Sequence, residues 1–126
     1  MLTEKDYCDY EICVALKELG YPLTSKEVRY EDKAVFVPGV LLYSAQKWLR
    51  EEKNIGVFVS GFKDGYTFWV NSLLNAATLY QGFFDNQTGK KYETYEGALS
   101  EGIKEAVKIL KEEQYDRQRN RQNHQG

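Results

Sequence analysis

The sequence predicts a small α+β domain: a three-strand antiparallel meander, a short hairpin ahead of it, and about three helices packed on the sheet. Three observations lead there. Three segments repeat apolar residues at helical spacing. Between the second and third lie runs of alternating β-branched and aromatic residues, joined by an Asp-Gly turn. The strands come in groups rather than alternating with helices, which favours antiparallel pairing over parallel crossovers.

The first helix is expected over 4–19. Thr3 is its candidate N-cap, and Glu4 and Asp6 suit a helix first turn. Cys8, Ile12, Ala15, Leu16 and Leu19 form one apolar stripe, and Gly20 is placed to end the helix. Pro22 breaks any continuation. Val28-Arg29-Tyr30 and Ala34-Val35-Phe36-Val37 flank the polar Glu31-Asp32-Lys33 and read as a short hairpin, stopped by Pro38-Gly39.

A second helix is expected over 41–53, burying Leu41, Ala45, Trp48 and Leu49, with Asn54 as a left-handed stop. Strands follow over 56–62, 66–74 and 78–84, with Lys63-Asp64-Gly65 as the first turn and Asn75-Ala76-Ala77 as the second connector. The third helix is expected over 95–113, capped by Thr94, with Tyr95, Leu99, Ile103, Ala106, Val107 and Leu110 as its stripe. Gly97 and Gly102 weaken it by about 1 kcal/mol each against Ala. The organisation is therefore one domain over 1–113 and a polar tail over 114–126, too poor in apolar residues to order itself by burial.

With 126 residues, 42% of them hydrophobic and 29% charged, the chain can build a single core. A formal net charge of -2 gives no electrostatic reason for a nucleic-acid or membrane partner. The start, MLTEKDYCDYE, is acidic and lacks the apolar stretch of a signal peptide. No apolar run is long enough for a bilayer, so the expected location is the cytoplasm. Aromatics are abundant at 14%, ten of them tyrosines, which suits either a small core or a contact surface.

Signs of chemistry are few. Cys8 and Cys13, on one helix, would point to different sides of its axis, so a disulfide between them is geometrically poor and both read as ordinary thiols. No CxxC motif is present. His124 is the single histidine and lies in the polar tail, where a general base cannot be held in place. Asp6, Asp9 and Glu11 read as helix-dipole complements, not as metal ligands, and no metal or cofactor is expected. Gly89-Lys90-Lys91 and Ser60-Gly61 match neither a phosphate loop nor a nucleophile elbow. The residues lean away from an enzyme.

The sheet is more informative. Val57, Val59, Phe68 and Val70 read as its core face. The opposite face mixes polar residues with Phe58, Phe62, Trp69 and Phe83, which makes it a candidate interaction surface. The first helix or the early hairpin could equally cover it.

The α-β-β-β-α order over 41–110 is similar to that of double-stranded-RNA-binding domains. Those grip phosphates with lysines at the start of their second helix, where this chain reads Glu93-Thr94-Tyr95-Glu96-Gly97. Carboxylates there repel phosphate, and Lys90, Lys91 and the Arg117, Arg119, Arg121 tail offset this only in part. Nucleic acid is thus the less favoured partner.

Two blocks carry a further resemblance: Ala45-Gln46-Lys47-Trp48-Leu49-Arg50-Glu51-Glu52-Lys53, and the run over 92–106, YETYEGALSEGIKEA. They resemble a family of short uncharacterised proteins from phages and mobile elements of gut bacteria. That family pairs an AQKWLRE helix with a closing TYEEALEEGIKEALK helix. The opening ALKELGY over 15–21 is similar to the family's LLKEKGF start. Gly97 departs from the pattern, where the family usually has Glu, and removes the reciprocal half of a capping box. The resemblance implies a phage or prophage accessory protein in the host cytoplasm, and no particular activity. The expectation is a non-enzymatic module that binds another protein or itself, with a nucleic-acid-binding module and an enzyme of unrecognised type as alternatives.

Overall fold

A computed structural model describes residues 4–24, 27–31, 35–81 and 92–124. The chain runs through a 3-10 turn (Glu4–Asp6), α1 (Tyr10–Glu18), β1 (Val28–Glu31), β2 (Val35–Pro38), α2 (Leu42–Lys53), β3 (Ile55–Phe62), β4 (Gly65–Ser72), β5 (Thr78–Gln81) and α3 (Tyr95–His124). β1 and β2 form an antiparallel pair, and β3-β4-β5 form an antiparallel meander. This is the small α+β fold that the patterning predicts.

The first helix is shorter than expected. Tyr7 bridges to Leu41 and the Cys8 N–H donates to the Val40 carbonyl at 2.8 Å, so the chain is extended where a continuous helix was anticipated. Helix α1 therefore starts after Asp9, and Thr3 lies outside the described residues. Its end follows expectation. Gly20 sits at φ 104, Gly20 N–H donates to Lys17 O at 3.0 Å, and Tyr21 N–H to Leu16 O at 2.9 Å. These are the two bonds of a Schellman cap, and the left-handed backbone they need is free of strain at glycine.

That shift changes the geometry of the cysteines. Asp9 is the N-cap, so Cys8 and Cys13 fall at the positions just before the cap and four residues into the helix. These positions meet in a hydrophobic staple. Both thiols are buried, and Cys13 Sγ lies 3.7 Å from the Cys8 carbonyl oxygen. The separation expected from a continuous helix does not hold, because Cys8 is not on the helix.

Helix α2 ends as expected on Asn54 in the left-handed region, at φ 54. It flanks the edge of the sheet. Gln46 Nε2 donates to the Val57 carbonyl at 2.8 Å, satisfying an acceptor of β3, the outermost strand. Thr94 caps α3 as expected: its hydroxyl accepts the Gly97 N–H at 3.0 Å. The helix does not stop near 113. The segment expected to be a frayed tail is helical as far as His124. Its Lys, Glu, Gln and Arg residues are good helix formers, and residues 112–119 are exposed, so helicity there rests on propensity rather than burial.

The core lies between α3, α1, α2 and one face of the meander. Leu16, Leu42, Leu49, Leu99, Ile103, Val40 and Val70 are its largest fully buried aliphatic side chains. From the sheet, Val57, Phe68 and Val70 are buried and Val59 packs against them, as alternation predicts. Helix α3 crosses this face with Gly102 against it. A Cβ at Gly102 would sit 2.5 Å from Val57 Cγ1 and 3.2 Å from Phe68 Cδ2. The glycine that weakens the helix lets it approach the sheet.

Candidate interaction surface

Residues on the far side of the meander are set by its register. Val57 pairs with Val70 and Val59 with Phe68 on the inner face, so Phe58 and its partner Trp69 point outward together. Phe58 keeps 45% and Phe62 40% of its surface, and Trp69 is half-buried. Phe83, the fourth member of the expected set, lies outside the described residues. The structure thus brings Phe58 and Trp69 side by side and places Phe62 two turns of the pleat away, next to the hairpin end where Phe62 pairs with Gly65.

Phe58, Trp69, Asn71 and Thr78 line a shallow recess of about 340 Å³ on this face. Gly56 flattens its approach. The Phe58 ring folds over that glycine, with Cε2 2.6 Å from where a Cβ would stand, and Leu73 Cδ2 reaches to 3.1 Å of the same point. Phe58 and Leu73 thus both lie over Gly56, and the apolar surface runs on into the β4–β5 turn. Leu73 and Leu74 are both exposed there. Alternation missed these leucines because Leu73 and Leu74 read as the end of a longer strand. Strand β4 ends before them at Ser72, whose N–H bonds to Ala77 O across the turn, a contact that alternation does not report.

Among the described residues, two polar atoms on this side of the sheet, Thr67 Oγ1 and Asn71 Oδ1, are buried without a hydrogen-bond partner. A buried orphan hydroxyl costs about 1–3 kcal/mol. Thr67→Val keeps the shape and removes the orphan, so it is expected to stabilise the protein by about 1 kcal/mol. A rise in the urea midpoint with an unchanged slope would establish this, and a lowered midpoint would show that the hydroxyl is satisfied in solution.

A second concavity of about 500 Å³ lies at the corner where α2, the β4–β5 turn and α3 meet. Leu19, Ile55, Leu79 and Leu110 belong to its lining, but with Glu52, Lys53, Glu113 and Arg117 around them its accessible surface is mostly polar.

The titrating groups that the fold perturbs lie elsewhere and move away from neutrality. The neighbouring Cys13 thiol and burial push the Cys8 thiol far up. Burial, with a 2.5 Å hydrogen bond to Glu27, raises the Tyr21 phenol, and burial raises that of Tyr92. Such shifts make these groups less reactive at neutral pH. Among the described residues no group of three or more His, Cys, Asp or Glu could hold a metal ion, and no helix is long and apolar enough to cross a membrane. His124 closes α3.

Comparison with protein families, with curated proteins and with solved structures finds no match to this chain.

Proposed function

We propose that this protein is a non-enzymatic accessory module that binds another protein, or a second copy of itself, through the outer face of its meander. One observation carries the reading: Phe58, exposed, stands beside its cross-strand partner Trp69, half-buried, on one face of β3 and β4, while the opposite face of the same strands holds the core. Adjacent aromatics on a rigid sheet offer large apolar area at little entropic cost, which is the composition of an interaction centre. The phage-type resemblance of the α2 and α3 motifs fits an accessory role, and those motif residues serve structure: Gln46 closes the sheet edge and Thr94 caps α3.

The test pairs light scattering with pull-down by the tagged full chain, before and after nuclease. Phe58→Ala and Trp69→Ala are each expected to weaken self-association or capture by about tenfold or more. A monomer whose captured partners are unchanged by Trp69→Ala overturns the reading. Capture that disappears with nuclease moves the protein to the nucleic-acid-binding alternative.

A further inference from the structure

A continuous helix would turn Cys8 and Cys13 to different sides of its axis. The chain instead bends at Asp9, the cap of α1, and brings them together. Cys8 lies in the extended strap ahead of the cap. Its N–H donates to Val40 O at 2.8 Å, and Tyr7 beside it bridges to Leu41. Cys13 lies near the start of α1, its N–H bonded to Asp9 O at 3.0 Å. The side chains meet in the core. Cys13 Sγ is 3.7 Å from the Cys8 carbonyl oxygen, and the two thiols are in hydrogen-bonding contact. Cys8 keeps 4% of its surface and Cys13 3%, in one cluster with Ile12, Leu16 and Val40.

A staple asks only for apolar side chains at these two positions, and aliphatic residues would fill them without a reactive atom. Here both are thiols, each anchored on its own segment beside the other. Two sulfurs already held together have lost most of the chain entropy that closing a disulfide costs. We propose that Cys8 and Cys13 are a disulfide-forming pair, and that their bond locks the strap onto the first turns of α1. The oxidant is a small-molecule disulfide of the glutathione type. Both thiols are closed off in the folded chain, so exchange passes through opening of the strap. In the opened chain the Cys8 thiolate attacks one glutathione sulfur, the glutathione S–S bond breaks, and one glutathione leaves as thiolate. The Cys13 thiolate then attacks the Cys8 sulfur of the mixed disulfide and expels the second glutathione. Two protein S–H bonds become one S–S bond, and the two protons end on the two glutathione thiols. Reclosing of the strap buries the product.

Coupling between fold and disulfide is reciprocal: a fold that favours the bond is stabilised by it by the same factor. For the six-residue loop over 8–13, chain entropy alone sets that factor at about fortyfold. The test equilibrates the full chain with mixtures of reduced and oxidised glutathione, in buffer and in concentrated urea, starting from both the reduced and the oxidised protein. Alkylation and mass measurement then give the oxidised fraction. The folded chain is expected to reach half oxidation at an oxidant level about tenfold or more below that needed by the unfolded chain, and its urea midpoint is expected to rise on oxidation. Cys8→Ser and Cys13→Ser should each abolish the mass loss of the two thiol hydrogens. A folded chain that oxidises no more readily than the unfolded one, or an oxidised chain with a lowered midpoint, overturns the pair and leaves two packed thiols. Oxidation that links two chains instead of closing within one overturns it as well. None of these outcomes bears on the outer face of the meander, whose role is decided by what the protein captures.

Discussion

Phe68→Ala is expected to destabilise the protein by about 3–5 kcal/mol, the range for removing a buried phenylalanine from a close-packed core. Phe68 is 3% exposed. Its ring stacks on Tyr80 at 5.3 Å with 9° between planes, leans on Tyr92 at 6.0 Å, and faces α3 at Gly102. The helix cannot collapse into the space left behind, because α1 and α2 also fix its position and the rest of the meander holds the sheet. A domain of this size holds roughly 5–15 kcal/mol in total, so the variant would sit near the edge of folding. Phe58→Ala supplies the control. It deletes the same side chain from the adjacent strand on the opposite face, and its expected cost is below about 1 kcal/mol. Urea midpoints for the two variants give the difference directly. Equal costs would mean that the outer face is covered in solution, and the interaction reading would lose its basis.

The element order was legible because each helix carries an apolar stripe at helical spacing and β3 and β4 send their apolar residues to one face in alternation with the other. Val57 and Val70 against Phe58 and Trp69 could be assigned to opposite faces from spacing alone, since a strand offers only two directions. What escaped depends on contacts between segments distant in sequence. The Cys8–Cys13 staple exists because Cys8 bonds to Val40, and no periodicity within α1 reports that bond. The extension of α3 follows from propensity with little burial, which an argument from apolar content undervalues. The exposed Leu73 and Leu74 arise where β4 stops early, a point marked by the bonds of Leu73 to Asn54 and of Ser72 to Ala77 rather than by the strand's own alternation. Half the candidate surface was therefore visible as alternation, and its continuation past Gly56 was not.

Gly102 is where local and tertiary preferences oppose each other most clearly. On helix propensity alone, Gly102→Ala should stabilise α3 by about 1 kcal/mol. The added methyl would stand 2.5 Å from Val57 Cγ1 and 3.2 Å from Phe68 Cδ2, well inside contact distance. Val57 is a stiff, buried β-branched residue in the middle of β3, and Phe68 is held by its two tyrosines, so neither can withdraw freely. Overpacking of this kind costs about 1–3 kcal/mol and wins over the propensity gain. The expected outcome is a lower urea midpoint for Gly102→Ala. Val57→Ala, itself destabilising, removes the methyl that collides, so the double variant should be more stable than the sum of the two by about 1 kcal/mol or more. A favourable coupling of that sign requires α3 to lie directly on Val57. If Gly102→Ala instead raised the midpoint, the helix would have to sit farther from the sheet than this packing allows.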